Sequence, residues 1–254
     1  MKLPVNAGVM LIAAAILAGP VRAQETDDGW DLATDPATDS VSASVSYASG
    51  ASIIVLCRAG TLLTGISGTP LSRDSSRRAL LTRGDDFSTE GQWDRSADGR
   101  LGLSNAPMTA RFLRLGGSVT LQSIDGDPAP FNVAFALPAS GAVVDQVLTA
   151  CDQPLTREHD RATDVSDLLL QGLAIEMPAT AAPRTGGVQA ISLTCLIAGG
   201  RLTGCVSESQ QPPNPEGGAA TARRANGERA RFSNEAAAEG GRVEIVVTGA
   251  RIRR

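Results

Sequence analysis

Four cysteines constrain this chain more than any other feature. They stand at Cys57, Cys151, Cys195 and Cys205, behind an amino terminus that reads as an export signal. Lys2 supplies a short positive region, Ala7 to Ala18 carries no charge, and Val21-Arg22-Ala23 ends in a small residue before Gln24. An apolar stretch of about 12 to 14 residues falls short of the roughly 20 that span a bilayer, so residues 1–23 are expected to be a cleaved signal peptide rather than an anchor. An exported chain meets an oxidising compartment, where an even number of cysteines reads as disulfides. Four cysteines allow three pairings, and the spacing favours one. Cys195 and Cys205 flank Gly199-Gly200 in a run that alternates like a β-hairpin turning at the glycines. Counted back from the turn they sit opposite or nearly opposite each other, which leaves Cys57 for Cys151. That bond closes a loop of about 95 residues, for which the chain-entropy model gives roughly 4 to 5 kcal/mol. A redox dithiol would call for a Cys-x-x-Cys unit, and none is present.

The same counts remove several chemistries. One His and four scattered Cys make no zinc cluster. The single lysine, Lys2, leaves with the signal, and with it any Schiff-base lysine, P-loop lysine or Ser-x-x-Lys pair. No metal or small-molecule cofactor is expected. Cleavage takes Lys2 and Arg22 and no acid, so 23 basic residues become 21 against 27 acids, a formal charge of −6. Nucleic acid is not an expected partner, because its phosphates need a concentrated basic face. The acids are front-loaded: Glu25, Asp27, Asp28, Asp31, Asp35 and Asp39 fall in a stretch with no arginine. Residues 24–46 are therefore expected to be a disordered acidic leader.

An α+β fold is expected beyond the leader. Ala51 to Cys57 is a compact apolar run suited to a buried strand, and Thr61 to Ile66 follows Arg58-Ala59-Gly60 as its hairpin partner. Arg73 to Arg83, with five charges and two serines, reads as a solvated loop or short helix. Further strands are expected at Gln92 to Arg95, Arg100 to Ser104, Arg111 to Leu115, Ser118 to Ser123 and Phe131 to Ala136, in an antiparallel sandwich or barrel-like sheet. Ser140 caps a helix over Gly141 to Cys151 with Val143, Val144, Val147 and Leu148 on one face, and Pro154 stops it. Residues 47–155 thus form a β-rich domain ending in a helix. Residues 156–187 hold a charged stretch, a short helix within Asp164 to Met177, and a Pro/Gly/Ala linker from Pro178 to Gly187. Residues 188–254 supply the cysteine hairpin, a Pro-rich connection at Pro212 to Pro215, an Ala/Arg-rich helix around Gly218 to Arg231 and a last strand at Arg242 to Thr248.

That final order of strand, glycine turn, strand, helix and strand resembles the carboxy-terminal domain of TonB-type energy transducers. The matching residues are Gly199-Gly200-Arg201-Leu202 at the turn, Val206-Ser207-Glu208-Ser209 leaving the second strand, the Ala-rich helix and Gly241-Arg242-Val243-Glu244-Ile245-Val246-Val247 at the end. The whole chain looks like exported proteins of sphingomonad and caulobacter-type alphaproteobacteria that join a two-cysteine β domain to such an end. Glu244 to Arg254 is also similar to the TonB box of outer-membrane receptors, an extended segment that adds as an edge strand to a TonB sheet. The plainer reading, in which Val243 to Val247 is the domain's own third strand, is preferred, because a domain of this size needs that strand to cover its helix. A short signal in place of an anchor and spacer, and Phe232 standing where many TonB domains carry an aromatic pair, point to docking rather than energy transduction.

Catalytic motifs are thin. Ser67 in Gly65-Ile66-Ser67-Gly68 lacks the second spacing of a nucleophile elbow, and His159 stands in a charged stretch where an exposed, solvated imidazole is expected. Asp125-Gly126-Asp127 and Asp85-Asp86 read as turns or loop surface. The expectation is a periplasmic, non-enzymatic envelope protein. Its partner is a protein, either a TonB system component or an outer-membrane protein, engaged through Glu244, Ile245, Val246, Val247, Thr248 and Gly249. An envelope hydrolase using His159, or a purely structural envelope protein, is the alternative.

Overall fold

Alternating apolar and polar residues build the first sheet of the computed structural model, which describes residues 29–68, 76–84, 88–95, 101–103, 106–124, 130–170, 173, 175–179, 181, 187–211 and 213–251. Its strands are β1 (Asp31–Asp35), β2 (Ser40–Ser46), β3 (Ser52–Arg58), β4 (Thr61–Ser67), β5 (Ser76–Arg83), β6 (Ser88–Arg95), β7 (Leu101–Leu103), β8 (Gly117–Ser123) and β9 (Asn132–Leu137). They pair antiparallel in the order β1-β2-β3-β4-β7-β6-β5-β8-β9. On β3, Ile53, Val55 and Cys57 point into the core while their neighbours are half-buried or exposed. Ala59 and Gly60 turn β3 into β4 with φ of 47° and 74°, the left-handed pair that a two-residue hairpin needs. The sheet curls, so that its two ends approach each other. The Tyr47 hydroxyl, just after β2, donates to the Ala136 carbonyl of β9 at 3.2 Å, and its ring lies 5.3 Å from that of Phe135.

Two helices complete this core. In α1 (Ala106–Leu113) all eight residues are buried, and the helix packs on β4. α2 (Ala142–Ala150) lays Val143, Val144, Val147 and Leu148 against β2 and β3, and the Cys57–Cys151 disulfide, with Cα atoms 5.5 Å apart, fastens its end to β3. Gly141 precedes it because there is no room for more: a Cβ there would lie 2.1 Å from the Arg114 carbonyl oxygen.

A second core gathers around β10 (Gly187–Ala198), β11 (Arg201–Gln211), α3 (Pro215–Ala225), α4 (Glu235–Ala238) and β12 (Arg242–Arg251). The sheet order is β11-β10-β12, again antiparallel. Gly199 and Gly200, with φ of 58° and 68°, make the hairpin turn. The ladder slips near the disulfide: Gly204 and Cys205 together oppose Cys195, a bulge that brings the Cys195 and Cys205 Cα atoms to 4.1 Å. Asn214 caps α3 by accepting the Gly217 N–H at 3.0 Å, and Pro215 opens the helix. The chain is thus mixed α+β with mostly antiparallel sheets, and both disulfides are of the kind an oxidising compartment sustains. Among the described residues, no helix is long and apolar enough to cross a membrane.

Several expectations change. Residues 31–46 are not a disordered leader but β1 and β2; their acids lie on half-buried or exposed positions while Trp30, Ala43 and Val45 are buried. The period-two run Val41, Ala43, Val45 was outweighed in the sequence by the charge around it. Residues 24–28, like residues 1–23, lie outside the described residues. The described part of Arg73 to Arg83 is strand β5, where Arg77 turns inward and sets its guanidinium 4.4 Å from the Phe131 ring centre. Arg111 to Leu115 belongs to α1 and the turn after it, not to a strand; Met108, Ala110 and Leu113, none branched at Cβ, favour a helix that begins five residues earlier, at Ala106. Ser140 accepts from the Ala142 N–H, but Gly141 occupies the cap position. Asp164 to Met177 holds only a 3-10 turn at Ser166–Leu168 among its described residues, because its backbone bonds elsewhere: Val165 N–H to the Arg242 carbonyl and Leu170 N–H to that of Arg231. Most of the Pro178 to Gly187 linker lies outside the described residues.

Candidate partner-binding edge

Edge strands offer unpaired backbone groups, and β12 is one of the two edge strands of the second sheet, β11 being the other. It pairs with β10 from Arg242 opposite Leu196 to Arg251 opposite Gly187. Glu244 to Gly249 is therefore a strand of the domain itself. Alternation decides which of these residues face outward. The Arg242 N–H goes to the Thr163 carbonyl at 2.8 Å, the Arg242 carbonyl accepts from Val165 at 2.9 Å, and the Glu244 N–H goes to the Ser166 hydroxyl at 2.9 Å. Even-numbered residues thus turn their backbone away from β10, and odd-numbered Ile245, Val247 and Gly249 turn theirs toward it. The connector at Thr163 to Ser166 closes the start of the edge. From Val246 onward, no described residue takes the outward N–H and C=O of Val246 and Thr248. Val246 is also 56% exposed, the most exposed large apolar residue described. Glu244 is engaged, its carboxylate accepting from the Thr89 hydroxyl of β6 at 3.0 Å, and Met177 fills the space over Gly249.

Buried charges join the two units. Arg111 of α1 makes two bonds to the Glu208 carboxylate of β11, at 3.1 and 3.0 Å, and its Nε reaches both oxygens of Asp160, at 3.0 and 2.9 Å. Burial lowers the Arg111 pKa, yet Glu208 and Asp160 outweigh it and the net shift is upward, so the guanidinium stays charged. Arg242 binds the Ser88 carbonyl at 3.1 Å and Asp164 at 3.4 Å. Sequence reasoning missed all of these. The available signal was a lone arginine inside an otherwise apolar or alternating run, Met-Thr-Ala-Arg-Phe-Leu and Gly-Arg-Val-Glu-Ile-Val-Val, since such charges are rarely buried unless paired.

His159 is buried, not solvated, because its Nε2 bonds the carbonyl of Gly204 at 2.7 Å and pins the connector to the bulged hairpin. A carbonyl only accepts, so Nε2 carries the proton. Nδ1 is buried and bonds no described residue, so no described carboxylate orients the ring as a triad requires. Ser67 instead pairs with the Ser52 hydroxyl at 2.7 Å. Asp85, Asp86 and Asp125 to Asp127 lie outside the described residues, and among those described no group of three or more His, Cys, Asp or Glu is placed to hold a metal. Compared with protein-family models, curated proteins and solved structures, the chain matches none.

Proposed function

We propose that this is a periplasmic, non-catalytic binding protein whose second unit docks an extended segment of a protein partner along the outer edge of β12. The outward backbone from Val246, which no described residue takes, carries the reading, since strand addition draws its affinity from such groups. The hairpin, helix and strand order, with its resemblance to TonB-type domains, selects the partner: a component of the TonB system or an outer-membrane protein. The two disulfides support export, and the resemblance supports the periplasm as destination. A pull-down of the purified chain with the cell's TonB and its outer-membrane receptors tests this, with Thr248→Pro as the key variant. Proline at an outward position deletes a donor from the open edge and leaves the β10 ladder intact. Capture by the native chain and its loss in Thr248→Pro, at unchanged circular dichroism, is the expected result. Absence of capture, or equal capture by the variant, would overturn the reading.

A further inference from the structure

A cleft of about 540 Å³ opens between α1, the start of β6 and the connector that leads to the second unit. It has the volume and the interdomain position of small-molecule sites. Its lining is unusual for an acidic chain. Arg83, Arg111, Arg114, Arg157 and Arg161 contribute, against one lining carboxylate, Asp160. Arg111 is consumed by Glu208 and Asp160, and Arg114 by Asp145. Arg157 forms an ion pair with the Glu208 carboxylate at 3.7 Å, but its Nε is buried with no hydrogen-bond partner among the described residues. Arg161 is exposed and makes no hydrogen bond or ion pair with any described residue. Two guanidiniums on one 3-10 turn and its cap therefore line one cleft, that of Arg161 exposed and its donors taken by no described residue.

Beside Ser88, Thr156 and Thr163, the rest of the wall is apolar. Met108 and Phe112 form its floor, both buried. Leu115 and Leu155 stand at its rim, 53% and 37% exposed, two of the five exposed large apolar side chains among the described residues. Water would not be expected to favour this surface, whereas an alkyl chain would, at about 25 cal/mol per Å² covered. Cationic donors beside an apolar wall complement a ligand with an anionic head and an apolar tail.

We propose that this cleft binds a small anionic amphiphile, with its carboxylate on Arg157 and Arg161 and its alkyl chain on Met108, Phe112, Leu115 and Leu155. The site is separate from the β12 edge and stands or falls independently of partner docking. Calorimetric titration of the full exported chain with monomeric dodecanoate tests it, with acetate and dodecanol as head-only and tail-only arms. One saturable site for dodecanoate is expected, with both other arms weaker by about tenfold or more. A charge-assisted hydrogen bond contributes about 1.5–3 kcal/mol, so Arg161→Gln should weaken dodecanoate by roughly tenfold to a hundredfold. Arg161 is exposed, so this variant keeps the fold, and Arg161→Lys should recover part of the affinity. Leu155→Ser should weaken dodecanoate while leaving acetate unchanged. No binding of dodecanoate, equal binding of dodecanol, or indifference to Arg161→Gln would each overturn the proposal.

Discussion

Replacing Arg111 with methionine tests how the two units are held together. The side chains of Arg111 and Glu208 are 1% and 0% exposed, and the pair shares two hydrogen bonds. At roughly 4 Å and an effective dielectric near 20 their attraction is about 4 kcal/mol. Methionine fills similar space and removes the charge, which leaves the Glu208 carboxylate with only Arg157, 3.7 Å away and beyond hydrogen-bond reach. Removing one partner of a buried pair costs about 3–5 kcal/mol, a large part of the roughly 5–15 kcal/mol that holds a domain folded. The double variant Arg111→Met/Glu208→Leu removes the stranded charge as well, and should recover most of that loss. Urea unfolding provides the measurement, followed by two probes. Trp30 and Trp93 both lie in the first core, so fluorescence reports that unit, while far-ultraviolet dichroism reports both. In Arg111→Met the dichroism transition should move to lower urea than the fluorescence transition, because the second unit is released first. A loss under about 1 kcal/mol, or single-variant losses that simply add in the double variant, would refute the account of Arg111 as the joint.

Other outcomes follow from single contacts. Tyr47 is the chain's one tyrosine, and burial pushes its pKa from 10.0 up to about 12, so tyrosinate absorbance should rise with a midpoint near 12 in the native protein and near 10 in urea. The unfolded chain releases this proton first, so Tyr47 stabilises the fold equally below pH 10 and progressively less as pH climbs from 10 toward about 12; a native midpoint at 10 would show that its half-buried hydroxyl is not desolvated. The two disulfides close loops with sequence separations of 94 and 10 residues. Removing Cys57–Cys151 by paired alanine substitution should therefore cost about 4–5 kcal/mol in urea unfolding, and removing Cys195–Cys205 about 2–3 kcal/mol; the reverse ranking would show that loop length does not set their effect. Gly141→Ala drives a Cβ into the Arg114 carbonyl, and its melting temperature should fall by several degrees.

The elements read correctly from sequence are those whose signal is local. Gly199-Gly200 between alternating runs specifies a hairpin, and the apolar face of Val143, Val144, Val147 and Leu148 specifies a helix. The failures share a different cause. β2 was hidden because net charge was averaged over a segment whose alternate residues, Val41, Ala43 and Val45, face inward. β5 was hidden because Arg77 is stabilised by an aromatic ring 54 residues away, at Phe131, which no local pattern reveals. His159 looked solvated for the same reason, since its partner is a carbonyl exposed by a bulge 45 residues further on. Of the six residues expected to meet a partner, sequence placed Glu244 to Thr248 on the last strand and Gly249 beyond it, whereas β12 includes all six, and it could not tell which backbones face outward. That depends on the connector at Thr163 to Ser166, whose contacts are long-range.

The short open edge limits what strand addition can supply. Val246 and Thr248 turn outward, and Ala250 follows by alternation, so an added strand meets about six backbone groups, each worth a net of roughly 0.5–1.5 kcal/mol when bonded. Association itself costs about 4–15 kcal/mol, so backbone pairing alone yields weak binding. A partner of useful affinity must also cover side chains, and the exposed Val246 is the available anchor on this strand. Fully burying a valine contributes about 1.5–3 kcal/mol and Val246 has 56% of its surface left to bury, so Val246→Ser should weaken capture of an edge-binding partner by roughly fourfold to fifteenfold. Val246→Ile should preserve or strengthen it. Affinity measured for the captured partner with both variants separates this from pure backbone recognition: if serine and isoleucine bind alike, Val246 is not an anchor, and the partner must gain its affinity from surfaces beyond β12.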